Sequence, residues 1–304
     1  MKLAVEFPSV AFREGPDKVV DLARAIEEIG YDELAVFDHV VMGFPTERRG
    51  APRYPSTMPV LEALVLLGFA AAVTRRVSLS TEVLVLPQRQ PVLVAKQVST
   101  LDTLSAGRMR LGVGVGWQEC EFDVLQMGWT DRGKRMDEAI EAMRAYWRDE
   151  QVDLVGPYYP ADAIGMHPKP PQGGGLPIWV GGLSEPAFRR VARLGDGWMG
   201  SALGSDEQTL AAVAKIRAYA EEYGRDPASI GMQAMLAPPP TDSQGKTFYA
   251  EHDRVVRRAE SISKMGFEWT SINATAMFQA GARSVDAIIE QLGQLHGKLR
   301  AAVG

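Results

Sequence analysis

Two stretches of the chain put ionisable side chains where an apolar strand would end or run. Asp38-His39 follows the apolar segment Glu33–Phe37 directly. Imidazole exchanges a proton near neutral pH, and a carboxylate beside it can orient the ring. The same pair also reads as an Asp capping a loop next to a solvated His. Glu82 interrupts Val77–Leu86, a run otherwise made of Val, Leu, Ser and Thr. A carboxyl inside a buried strand is costly unless it is paired, protonated or functional. It either faces the mouth of the fold or reaches outward to an arginine on a helix. Side chains alternate across a strand, so sequence leaves both open.

Glycines mark two further places. Gly112-Val113-Gly114-Val115-Gly116-Trp117 has the outline of a dinucleotide turn, but no acid stands at the end of the next strand. Glycines here more simply let a flat ligand approach the backbone. Trp117 either covers such a ligand or packs. Gly181-Gly182-Leu183-Ser184 ends one apolar run and opens a helix. The free N–H groups and the helix dipole there suit a phosphate, and Ser184 serves equally as a plain N-cap. His167, His252 and His296 are read as structural or solvent-facing, and no two histidines stand at metal-ligand spacing, so no metal centre is expected. There is no GxSxG and no P-loop. No Lys stands at a strand end to form a Schiff base.

The elements that must position these residues alternate in type. Strands are expected over Lys2–Phe7, Glu33–Phe37, Val77–Leu86, Met109–Val115, Leu176–Val180, Gly197–Ser201, Ile230–Leu236 and Glu268–Asn273. Helices are expected over Asp17–Ile29, Met58–Val73, Pro91–Leu104, Asp131–Trp147, Glu185–Leu194, Glu207–Tyr223, Tyr249–Met265 and Ser284–Leu299. Pro91–Leu104 shows the helical period through Val94, Ala95, Val98, Leu101 and Leu104, and Gly107 lies just past its end. Long apolar strands joined by helices form parallel βαβ units. Eight such units predict a (β/α)8 TIM barrel, one domain over 1–304, with insertions near 40–57, 149–175 and 237–248. Asp149–Gly175 is expected to be irregular. Active sites in such barrels lie at the carboxyl ends of the strands. That rule selects Asp38, His39, Glu82 and the two glycine turns, with Phe7, Ser201 and Asn273 at the other ends.

Bulk composition removes several classes of function. The 304 residues are 46% hydrophobic and 23% charged, ordinary for a globular protein. A net charge of −5, with no basic run longer than two residues, argues against nucleic-acid binding. The longest apolar patch, Ala63–Val73, is too short to span a membrane. The N-terminus lacks the apolar core of a signal peptide. One cysteine, Cys120, allows no internal disulfide. These features predict a cytoplasmic protein with a small-molecule substrate, no nucleic acid and no membrane.

The segments SLSTEVLVLPQRQPVLVAKQVSTLDTLSAGRMRLGVGVGW, ECEFDVLQMGWTDRGKRMDEAIEAMRAYW and LPIWVGGLSEPAFRRVARLGDGWMG resemble the luciferase-like monooxygenase superfamily. More narrowly they are similar to its subgroup that uses the deazaflavin coenzyme F420. Asp38-His39 after GYDELAVF, and RYPSTMPVLEAL ahead of the second helix, match the same subgroup. The resemblance implies a (β/α)8 barrel and an oxidoreductase passing a hydride between F420 and a small organic substrate. It implies a non-prolyl cis peptide at Glu82-Val83, backing the central ring of the cofactor. His39 resembles the histidine beside the reactive edge of that ring, and Asp38 its neighbour. Gly114, Gly116, Trp117 and Glu121 match a cofactor loop, and Gly181, Gly182 and Ser184 the phosphate turn. Gln118, Cys120 and Leu183 depart from the commoner residues. The loop over 40–57 is expected to close over the substrate, and relatives imply a homodimer. One alternative is an FMN-dependent monooxygenase fed by a partner flavin reductase. Another is a barrel that binds flavin or deazaflavin without turnover.

Overall fold

A computed structural model describes residues 1–51, 54–200, 205–238, 242 and 244–304. The strands are β1 (Lys2–Glu6), β2 (Glu33–Val36), β3 (Ser78–Thr81), β4 (Leu84–Val85), β5 (Met109–Gly114), β6 (Val152–Leu154), β7 (Ala161–Ile164), β8 (Ile178–Gly181), β9 (Gly197–Gly200), β10 (Gly231–Leu236) and β11 (Trp269–Asn273). The helices are α1 (Pro16–Ile29), α2 (Ala63–Val73), α3 (Pro91–Ser105), α4 (Glu119–Val124), α5 (Arg132–Arg148), α6 (Glu185–Leu194), α7 (Asp206–Glu222), α8 (His252–Lys264), α9 (Ala274–Gln279) and α10 (Val285–Val303). The main sheet runs β3-β2-β1-β11-β10-β9-β8-β5, every pair parallel, and β3 pairs back onto β5. The sheet therefore closes. β4 continues the line of β3 against β5, so β3 and β4 are two parts of one barrel strand. This is the (β/α)8 barrel the alternation predicts.

The strands are buried on both faces, as parallel strands under a helical layer must be. Leu3, Val5, Leu34, Leu79, Leu111, Ile178, Val180 and Ile272 join the apolar core. The alternate residues fill the barrel, and many are polar. Arg110 pairs inside with Glu33 and bonds Gln233, while Ser80 donates to Glu33 at 2.8 Å. The Arg110 guanidinium lies 4.3 Å from the Trp179 ring centre and 4.2 Å from that of Trp269. A Cβ on Gly197 or Gly231 would meet the Trp179 ring at 2.4 or 2.5 Å. Glycines on two neighbouring strands thus make room for the indole. Two tryptophans, an arginine and its carboxylate plug the barrel below its carboxyl-terminal mouth.

Several boundaries differ from the sequence reading. Val77–Leu86 is not one continuous strand: it breaks between β3 and β4, where the Glu82-Val83 peptide is cis. The second helix begins at Ala63 rather than Met58. Pro59 disfavours helix at the residue before it, and the Glu62 side chain caps by accepting from Val65 N at 2.7 Å. Asp149–Gly175 is not irregular throughout, because β6 and β7 form an antiparallel hairpin inside it. Two short helices, α4 and α9, were not expected. Ser201, Pro52, Arg53 and part of the insertion near 237–248 lie outside the described residues. No described helix is long and apolar enough to cross a membrane.

Candidate active site at the barrel mouth

A cavity of about 510 Å3 opens at the carboxyl ends of the strands, within the range usual for small-molecule sites. Asp38, His39, Glu82, Val83, Gly114, Gly116, Trp117, Gly181 and Gly182 all line it. Residues distant in sequence meet here because each ends a strand of one closed sheet. Ser184 and Glu121 are not among the lining residues. Ser184 is exposed at the start of α6, just beyond the Gly181–Gly182 turn. Glu121 lies behind His39.

His39 follows β2 and is almost wholly buried. Its Nδ1 lies 3.0 Å from Glu121 Oε2. The other oxygen, Glu121 Oε1, accepts from Val40 N at 2.5 Å and Val41 N at 3.3 Å. Burial pushes this carboxyl up, but the His39 ring, the Gln88 amide beside it and the Val40 N–H outweigh burial and hold it down at about 2. Glu121 is therefore ionised at neutral pH and can only accept. The hydrogen between them sits on His39 Nδ1, so in the neutral ring Nε2 carries the lone pair. The Trp117 ring meets His39 edge-on at 5.2 Å, and Tyr54 stands 6.0 Å from His39 and 5.9 Å from Trp117.

The sequence couples Asp38 to His39; the geometry pairs His39 with Glu121 instead. Asp38 is clamped by Arg89. Nη1 donates to Oδ2 and Nη2 to Oδ1, both at 2.8 Å, and Val85 N donates to Oδ2 at 2.9 Å. Both of its oxygens are occupied, so its role is to tie the end of β2 to β4. Adjacency in the chain suggested a dyad, and the strand end turned the two side chains to different partners. Arg89, Tyr54 and Glu6 are site residues the sequence reading missed. Glu6 carried the same signal as Glu82, a carboxyl in an apolar strand.

Glu82 points into the barrel. Ser271 Oγ on β11 donates to its Oε1 at 2.6 Å, which excludes the outward reading. Its Oε2 is buried, with the Gln233 amide of β10 beside the carboxyl. Val83 takes the opposite side of the cavity floor. A Cβ on Gly114 would meet Val83 Cγ2 at 2.7 Å, and one on Gly181 would meet Val83 Cγ1 at 3.1 Å. Two glycines thus let the valine lie level with the backbone of β5 and β8, which makes a flat floor. Gly182 has φ of +124°, a conformation that strains any residue with a Cβ. Its carbonyl accepts from Trp198 Nε1 at 2.9 Å. Ser184 makes no side-chain capping bond, so the first turn of α6 has no side-chain cap.

These features fit a ring-bearing, phosphate-bearing cofactor. The floor is flat and apolar, its glycines bring backbone to the surface, and a helix N-terminus stands beside it. A closed parallel barrel with a buried histidine and such a floor at its mouth has the layout of a small-molecule enzyme site. The luciferase-like monooxygenase family model matches residues 5–292, and the chain belongs to that family. An uncharacterized protein of Mycobacterium tuberculosis is 33% identical over 213 residues, covering 68% of this chain and 72% of its own. An F420-dependent glucose-6-phosphate dehydrogenase of Nocardia farcinica is 32% identical over 202 residues, covering 65% of this chain and 56% of its own. The structure of an F420-dependent secondary alcohol dehydrogenase, in complex with an F420–acetone adduct, superposes with a TM-score of 0.77 at 19% identity. It covers 98% of this chain and 99% of its own.

Proposed function

We propose that this chain is an F420-dependent oxidoreductase that transfers a hydride between the deazaflavin and a small organic substrate held at the barrel mouth. The observation that carries the reading is His39, fixed by Glu121 Oε2 at 3.0 Å above the Val83 floor. The Nocardia relative supports the choice of F420 over FMN. The cofactor supplies the hydride chemistry, and the protein supplies orientation and a dry pocket. Val83, Gly114 and Gly181 would back its ring. Gly116 and Trp117 would border it, and Gly182 and Ser184 would face its phosphate. His39 Nε2 would take or return the proton that accompanies the hydride. Gln118 donates to Val41 O at 2.8 Å and accepts from Gly43 N at 3.0 Å. These bonds anchor the start of the loop over 40–57, which would fold over bound substrate.

Titration with F420 and with FMN, followed by tryptophan quenching, tests the cofactor. F420 is expected to bind more tightly by at least tenfold. Tight binding of FMN alone, with oxygen consumption, would overturn the reading in favour of a monooxygenase with a reductase partner. We also propose that two copies pair through α2 and α3. α2 has no polar face, and a helix apolar all round belongs in a buried setting. Yet Val65 on α2 is 72% exposed and Phe69 42% exposed.

A further inference from the structure

The cavity's charge is one-sided. Among the described residues that line it there is no Lys and no Arg, but there are three carboxyls, Glu6, Asp38 and Glu82. Asp38 is neutralised by Arg89. Glu6 and Glu82 remain, on β1 and at the break between β3 and β4. They occupy the side of the floor away from Val83, toward β11, where Ser271 holds one oxygen of Glu82. The other oxygen, Oε2, is buried, and the Gln233 amide on β10 stands beside this carboxyl. Phe37, Met58, Met199 and Met235 make much of the remaining wall apolar.

Two carboxyls in such a place cannot both ionise cheaply. Burial lifts Glu82 to about 7, against the opposing bond from Ser271 and the charge of Arg110. Burial and the charge of Glu82 lift Glu6 well above the carboxylate range. Of the other groups facing Glu82, the Gln233 amide on β10 bonds it and opposes the rise, Glu33 on β2 adds to it, and neither these nor Tyr249 adds a cation. Near neutral pH the floor thus holds an acidic hydrogen more readily than an ordinary pair of carboxylates would. It offers that hydrogen to a ligand rather than accepting an anion.

We propose that the Glu6–Glu82 end of the cavity is the subsite for the substrate's polar group. It takes an uncharged carbonyl carried on an apolar body, and it rejects carboxylate and phosphate. This rests on the barrel mouth being the substrate site. It makes this chain unsuited to a sugar phosphate, unlike the Nocardia relative named for one.

The test is ligand-observed NMR titration of the full chain with cyclohexanone and with cyclohexanecarboxylate, at pH 6 and pH 8.5. The ketone is expected to bind at pH 6 at least tenfold more tightly than the carboxylate. Its affinity should fall severalfold at pH 8.5, as Glu82 loses its proton. Glu82→Gln keeps a neutral donor and should bind the ketone equally at both pH values. Glu82→Leu should lose the preference. Carboxylate binding as tight as ketone binding would overturn the proposal, as would no ketone binding at pH 6. So would loss of ketone binding in a Glu82→Gln protein that melts no lower than wild type. The titration needs no turnover, so F420 binding is scored separately on the same samples. Ketone preference without F420 binding would refute the cofactor reading alone.

Discussion

The hydrogen on His39 is placed by a residue 82 positions further along the chain. Because Glu121 is an anion that can only accept, it fixes the ring's tautomer as well as its angle. His39→Ala is expected to lower kcat by about 10^2–10^4-fold, the usual weight of a positioned acid–base group; full turnover would remove His39 from the reaction. Glu121→Gln tests the placement through pH. Its folded-state pKa, about 2, lies below the ordinary value of 4.5. The stabilisation is therefore present above about pH 4.5 and lost as pH falls through about 2. The melting-temperature gap between wild type and Glu121→Gln should be widest above pH 5 and close toward pH 2. A gap that does not change with pH would mean that Glu121 contributes packing alone. Glu82 runs the other way. Its raised pKa favours folding below the ordinary carboxylate range and loses that contribution as pH rises through about 7. Glu82→Gln should gain stability relative to wild type between pH 5 and pH 8.5 in thermal melts.

At the scale of elements, the clamp between Asp38 and Arg89 holds the end of β2 against β4 through two bonds of 2.8 Å. Removing Arg89 leaves a buried carboxylate uncompensated, a change that costs on the order of 3–5 kcal/mol. Arg89→Met should fall in that range in urea unfolding. The double variant Asp38→Asn/Arg89→Met should recover part of the loss, since the charge is then gone. Additive losses would mean that the pair does not act as a unit. The strands themselves were readable because parallel strands buried on both faces write continuous apolar runs. The break at Glu82-Val83 was not readable from composition, because Val77–Thr81 and Val83–Leu86 are both made of residues that suit a strand; only the family resemblance pointed to it. α4 and α9 were missed because six residues hold less than two turns and show no period. The hairpin of β6 and β7 was hidden by the prolines and glycines around it.

At the scale of the whole molecule, the site was legible as a set of strand ends, and its pairings were not. Which side chain meets which depends on how the ends are rotated and staggered around the barrel, and a linear chain does not record that. Glu6, Ser271 and Glu82 meet from three strands, and Asp38 and His39 part although they are neighbours. The outer surface raises a further question of assembly. α2 and α3 pack side by side. Val65 and Phe69 stand one helical turn apart on α2, while Leu93 and Leu104 on α3 are also exposed. Exposed apolar side chains on two neighbouring helices are of the kind that marks an interface. A stable pair needs roughly 800 Å2 from each partner, which two whole helix faces can supply. Light scattering is expected to give twice the chain mass of 33.2 kDa. Val65→Lys puts a charge among those exposed side chains without touching the core, because this side chain is mostly outside it. The variant should scatter as a single chain with an unchanged far-UV spectrum. A wild-type protein that scatters at 33.2 kDa across micromolar concentrations refutes the pairing. A Val65→Lys protein that stays at twice the mass moves the interface to another face.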